Sequence, residues 1–177
     1  LLVRHPERYE VFAVTAGTQW QAMARLCETV QPRYAAMADA TSATSLRNHL
    51  AGLGSQVEVL SGPEALAELA AHPDVDTVVA GIVGAAGVRP TLAAVEAGKR
   101  VLLANKEALV VTGSLFMDAV KRYGATLLPL DSEHNAIFQC QPTEGVNAGV
   151  ERLLLTASGG PFREFSAEQL KAVTPEQ

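Results

Sequence analysis

Cysteine is scarce: the 177 residues contain two, Cys27 and Cys140, and neither stands in a CxxC or Cys/His cluster. That excludes a disulfide framework and a structural zinc site and suits a reducing, cytoplasmic-type compartment. No run approaches the roughly 18 uninterrupted apolar residues of a membrane span. The opening Leu1-Leu2-Val3-Arg4-His5-Pro6 has no basic segment leading into an apolar signal core, so a soluble protein without a visible secretion signal is expected. An excess of one charge is also lacking. Fourteen Lys and Arg stand against 19 Asp and Glu, a net charge of −5 without a long run of either sign, so there is no general footprint for nucleic acid. A local anion site needs only a few residues and stays open. What is abundant is apolar side chain: 48% hydrophobic with 19% charged excludes disorder, and the length suffices for one globular core. The first residue is Leu, and Leu1 to Val3 read as the last turn of a helix, so a longer protein is expected around this sequence.

Short β-rich runs recur at 11–16, 33–38, 57–60, 77–82, 101–104 and 126–130, each separated by room for one helix. Leu46, Leu50 and Leu53 fall on one helical stripe, and Leu66, Leu69 and Ala70 on another after the helix-start pair Gly62-Pro63. Gly54, Gly98 and Gly124 punctuate helix ends. The runs at 78–83, 101–104 and 127–130 are continuously apolar, which predicts strands covered on both faces and hence a parallel α/β sheet. Beyond Leu130 the rhythm changes to a short helix around 135–139, a loop from Pro142 to Gly149, a strand over Val150–Thr156 and a capping box at Ser166 to Gln169. A second unit is expected from residue 131 onward.

In open parallel sheets, ligands bind beyond the carboxyl ends of the strands, which gives priority to four places. Gly17-Thr18-Gln19 offers a close backbone approach without an acid for an adenosine 2′-hydroxyl, which leans toward NADP, although an ordinary turn fits as well. Gly81-Ile82-Val83-Gly84-Ala85-Ala86-Gly87 admits either a cofactor against the main chain or close packing of helix on strand; it is not a GxGxxG fingerprint. Asn105-Lys106-Glu107 sets an ammonium at a strand end, suited to a phosphate or oxyanion, or equally to a Lys–Glu pair on a solvated helix start. Asp131-Ser132-Glu133 can turn two carboxylates the same way from an extended segment to grip a divalent cation such as magnesium or manganese. The same residues can simply cap the helix that follows. Past the last strand, Ser158-Gly159-Gly160 has the composition of a phosphate or sugar-hydroxyl loop, or of a plain turn.

The stretches Gly81 to Gly87, Leu102-Leu103-Ala104-Asn105-Lys106-Glu107, Leu127 to Phe138 and Ser158-Gly159-Gly160-Pro161-Phe162-Arg163 together resemble the 1-deoxy-D-xylulose-5-phosphate reductoisomerase family over essentially the whole chain. The resemblance implies an α/β Rossmann-like, doubly wound NADP-binding domain over 1–130, lacking its first strand and Gly-rich loop. An incomplete α+β catalytic domain would follow over 131–177. It implies rearrangement and NADPH-dependent reduction of a sugar phosphate, 1-deoxy-D-xylulose 5-phosphate, to 2-C-methyl-D-erythritol 4-phosphate with Mn2+, Mg2+ or Co2+. Gly17, Gln19, Asn105 and Glu107 would then contact the cofactor, and Lys106, Ser132, Glu133 and Ser158 the substrate. Asp131 and Glu133 would hold the metal, with Lys106 and Glu133 catalytic. Where the family commonly has a basic residue, Thr18 stands. A homodimer in the bacterial cytoplasm or a plastid, with no nucleic-acid or membrane partner, and a chain inactive on its own complete the expectation. The alternatives are another NADP-dependent dehydrogenase, with Asp131 and Glu133 only capping, and a non-catalytic nucleotide-binding module.

Overall fold

A computed structural model describes residues 2–142, 149–156 and 160–177. The chain falls into two compact units, Leu1–Leu128 and Pro129–Gln177. In the first, strands and helices alternate. β1 (Ala13–Ala16), β2 (Tyr34–Met37) and β3 (Glu58–Ser61) form one parallel sheet, with Ala13 opposite Tyr34 and Tyr34 opposite Glu58. β4 (Thr77–Ala80), β5 (Arg100–Leu103) and β6 (Thr126–Pro129) form a second, in that order, with Thr77 opposite Arg100. Each of these six β-rich runs therefore forms a strand, trimmed or shifted by a residue or two at its ends. Among the described residues no strand pair joins the two sheets.

The connections are α1 (Trp20–Val30), α2 (Ala40–Gly52), α3 (Pro63–Ala71), α4 (Val88–Glu96), α5 (Glu107–Thr112) and α6 (Ser114–Tyr123). Their limits follow from the sequence. Pro63 opens α3 where a missing N–H costs nothing. Gly124 closes α6 at φ 66°, behind Lys121 and Arg122, whose cations suit the negative helix end. Asp39 caps α2, its carboxylate accepting the Ser42 amide at 2.6 Å.

Three apolar clusters fill this unit. Leu46 and Leu50 of α2 bury with Met23, Cys27 and Met37 between helices and the first sheet, with Trp20 packed on their flank. Phe116 and Val95 bury against Val101 and Leu103 of the second. Each fully buried side chain of this size contributes roughly 1.5–3 kcal/mol. The third cluster joins Leu66 and Leu69 of α3 to Ala36 of β2, with Ile82 beyond β4 packed on it. Burial also pushes the Cys27 thiol above its ordinary range, whereas Cys140 is exposed.

Two expectations are corrected here. The continuous apolar runs predicted cover on both faces, yet Val79 of β4 is 61% exposed, so cover is incomplete at this strand. Leu53 leaves the α2 stripe because the helix ends at Gly52 and Leu53 only caps it, exposed.

The second unit contains α7 (Ser132–Cys140), α8 (Ala167–Lys171), opened by the Ser166–Gln169 capping box, and a short helical turn at Gly160–Phe162. None of its described residues is buried. The strand expected over Val150–Thr156 is not formed. A strand exists only as a hydrogen-bonded pairing, and these residues have none among the described ones, leaving Leu153, Leu154 and Leu155 exposed. No helix of the described residues is long and apolar enough to cross a membrane.

The cap on α2 predicts a pH signature. Its hydrogen bonds with Ser42 hold the Asp39 carboxyl below its ordinary value of 3.8. Its contribution is therefore present above that value and lost as pH falls through the lowered folded one. In acid denaturation followed by circular dichroism, Asp39→Asn should flatten the fall in stability below about pH 4; an unchanged acid limb would contradict the assignment.

Candidate functional site

The carboxyl ends of β1, β4 and β5 carry three of the four polar segments singled out above. After β1, Gly17, Thr18 and Gln19 are exposed, and a Cβ on Gly17 would meet open space. The Thr18 carbonyl accepts the Ser42 hydroxyl at 3.1 Å and the Gly17 carbonyl accepts the Asp39 amide at 3.3 Å, which fixes the turn against the start of α2.

After β4, the glycines divide their labour. A Cβ on Gly81 would meet nothing within 4 Å, so this backbone is open to a ligand. At Gly87 a Cβ would stand 2.3 Å from the Ile82 carbonyl oxygen and 2.6 Å from Asn105 Nδ2. The loop is thus open at its start and closely packed at its end.

After β5, Asn105 is only 4% exposed. Its amide nitrogen donates to the Ile82 carbonyl and, at 3.0 Å, to the Gly84 carbonyl; its Oδ1 accepts the Glu107 amide at 3.1 Å. The amide ties the glycine loop to the start of α5 and so fixes the shape of that loop. Lys106 and Glu107 are exposed where α5 begins, and among the described residues neither forms an ion pair.

In the second unit, Asp131, Ser132 and Glu133 lie together at the opening of α7. The geometry differs from the extended one predicted. Asp131 is the N-cap and Glu133 lies in the first helical turn, because the Asp131 carboxylate accepts the His134 amide at 3.4 Å and also bonds His134 Nδ1. The Asp131 side chain is 15% exposed. Two hard carboxylate donors so close in the chain fit part of an oxygen-rich divalent-cation site, which needs six or more ligands for a calcium-like ion and near-octahedral ones for magnesium. Among the described residues no group of three or more His, Cys, Asp or Glu could hold a metal ion. Asn135 adds an anchor, donating to the Pro129 carbonyl at 2.8 Å. Ser158 lies outside the described residues.

Reading the strand ends alone missed Arg89 and Glu64, which pair at 2.6 Å across α4 and α3. A cation two residues after a glycine loop at a helix start was the available signal.

Alternating parallel strands and helices, with polar turns gathered past the strand ends, define a Rossmann-like α/β nucleotide-binding class. A family model described as 1-deoxy-D-xylulose 5-phosphate reductoisomerase matches residues 1–113, and one described as the C-terminal domain of that enzyme matches 127–177. The chain belongs to the 1-deoxy-D-xylulose 5-phosphate reductoisomerase family. It is 60% identical over 176 residues to the reductoisomerase of Ralstonia nicotianae, covering 98% of this chain and 45% of the relative. To that of Pseudomonas fluorescens it is 55% identical over 181 residues, covering 100% and 46%. The solved reductoisomerase of Zymomonas mobilis in complex with NADPH superposes with a TM-score of 0.84 at 45% identity, over 99% of this chain and 45% of that one. A DOX-P reductoisomerase structure in complex with NADPH, fosmidomycin and magnesium gives 0.83 at 40% identity, over 98% and 44%. The chain therefore spans under half the length of these relatives.

The loop geometry yields a paired test. Gly87→Ala forces the Ile82 carbonyl or Asn105 to move and should cost about 1–3 kcal/mol in denaturant unfolding. Gly81→Ala, with open space, should stay within about 0.5 kcal/mol of the parent. Equal losses at both positions would refute the division of roles.

Proposed function

We propose that the whole protein converts 1-deoxy-D-xylulose 5-phosphate to 2-C-methyl-D-erythritol 4-phosphate by rearrangement and reduction, using NADPH and a divalent metal. The observation that carries this reading is the pairing of Asp131 and Glu133 at the opening of α7, in a chain whose relatives bear that enzyme's name and include a structure with magnesium and NADPH.

Residues 1–130 form the NADP-binding part and 131–177 the beginning of the metal-binding part. Gly17 and Gln19 face the adenosine end of the cofactor, with open space around the Gly17 backbone. Asn105 and Glu107 contact the cofactor nearer its reactive end, and Asn105 also holds the 81–87 loop in shape through its bonds to Ile82 and Gly84 and accepts the Glu107 amide. Lys106 presents an exposed ammonium to substrate oxygens as negative charge develops on them. Ser132 and Ser158 hydrogen-bond the substrate, and Asp131 and Glu133 hold the metal, Glu133 also touching the substrate. A bound divalent metal supplies Lewis-acid polarisation and a template for the substrate oxygens. The bond between Asp131 and His134 orients the carboxylate in advance. A homodimer in the bacterial cytoplasm, acting without nucleic-acid or membrane partners, accompanies the reading, as does inactivity of these 177 residues alone.

Asp131→Asn is the decisive variant, because Asn caps a helix as well as Asp does and leaves the fold intact. In the whole protein it should lower kcat at fixed Mn2+ by at least about a hundredfold, a direct ligand costing no less than an outer partner of one. The metal concentration for half-activity should rise, with the melting temperature nearly unchanged. Parent-like metal dependence would leave Asp131 a cap only.

A further inference from the structure

A cavity of about 130 Å³ opens at the carboxyl ends of β1, β2 and β4, lined among others by Gly17, Ala38, Pro63, Ile82, Ala86 and Arg89. Its walls are almost wholly small or apolar, suited to the flat faces of an aromatic ring. Of the residues lining it, Arg89 alone is charged. The turn that borders it at Gly17 brings Thr18 and Gln19, neither cation nor acid. α3 and α4, nine residues each, both begin at this cavity, with Pro63 and Pro90 in their first turns, so their positive dipole ends add to the guanidinium.

Arg89 Nη1 meets Glu64 Oε1 at 2.6 Å, and both side chains are more than half exposed, at 62% and 58%. An ion pair that open to water is weak and exchanges readily for a better anion. A phosphate monoester carries about two negative charges at neutral pH and takes a guanidinium in two-pronged fashion, so it outcompetes a single carboxylate.

We infer that Arg89 is the residue that distinguishes NADPH from NADH, pairing with the 2′-phosphate of the adenosine, while Glu64 holds the guanidinium at the cavity mouth until the cofactor arrives. The inference rests on the NADPH dependence proposed above and deepens it. It supplies the cation that the β1 turn lacks, from a different helix. Glu64 has two effects: it orients Arg89 in the free protein, and it must be displaced, which lowers the affinity for the phosphate. An arginine serves here where lysine would serve less well, since the planar fork can stack over a base and still bond a phosphate at its edge.

The test is titration calorimetry of the whole protein with NADPH and with NADH. The parent should prefer NADPH. Arg89→Leu should weaken NADPH binding at least about tenfold and leave NADH binding within about twofold, collapsing the preference; a charge-assisted pair of this kind supports such a factor. Arg89→Lys should fall between. Glu64→Gln should strengthen NADPH binding and not NADH binding. Melting temperatures close to the parent's verify that each variant is folded, as the exposure of both side chains leads one to expect. Equal weakening of both cofactors by Arg89→Leu, or no change in either, overturns the role of Arg89 while leaving the NADPH reading intact. A parent that binds neither cofactor overturns that reading, and this inference with it.

Discussion

Across the first unit runs α3. Among the described residues no strand pair joins its two three-stranded sheets, and α3 packs side chains against both. Leu66 and Leu69 of α3 lie against Ala36 of the first sheet, while Ile82, from the turn after the second, packs on the same cluster. Small residues make this possible: Ala36 and Ala65 let helix and strand approach closely, where larger side chains would force them apart. The cavity at the strand ends sits along this seam, with Leu66 and Ile82 in its wall. Shape at the candidate cofactor site is thus a by-product of the packing that unites the sheets.

Polar groups complete what apolar packing begins. Asn105 is buried, and burial of an amide is tolerable only when its hydrogen bonds are met. Here they are met by the carbonyls of the glycine loop and by the start of α5, so one side chain connects the ends of β4 and β5. Gly87 is the counterpart of that choice. Its missing Cβ makes the room in which Asn105 and the Ile82 carbonyl meet. Neither residue can change alone without disturbing the other.

Strands and helix ends were legible in the sequence because their causes are local. Continuous apolar runs marked β4 to β6, Pro63 opened α3, and glycines in the left-handed region closed helices. The candidate site was legible as segments, since polar residues directly after apolar runs stand at strand ends. Individual roles were less so. Spacing could not show that the Asn105 amide is spent on backbone carbonyls, nor that Asp131 caps a helix rather than lying in an extended segment. Arg89 and Glu64 stand 25 residues apart and meet only because α3 and α4 pack side by side. Val150–Thr156 has the composition of a strand, but pairing is a property of two segments and composition speaks for one.

The two thiols differ in a way that bears on handling the protein. Cys27 is 1% exposed, held in the core of the first unit with its thiol pushed toward the neutral form, so the reactive thiolate is rare and shielded. Cys140 ends α7 in the open, on the same helix that begins with the paired carboxylates. A maleimide or spin label therefore has a single point of attachment in the folded chain. It places a spectroscopic reporter two and a half helical turns from Asp131 without any engineered substitution, and delayed modification of the second thiol becomes a clock for unfolding of the first unit.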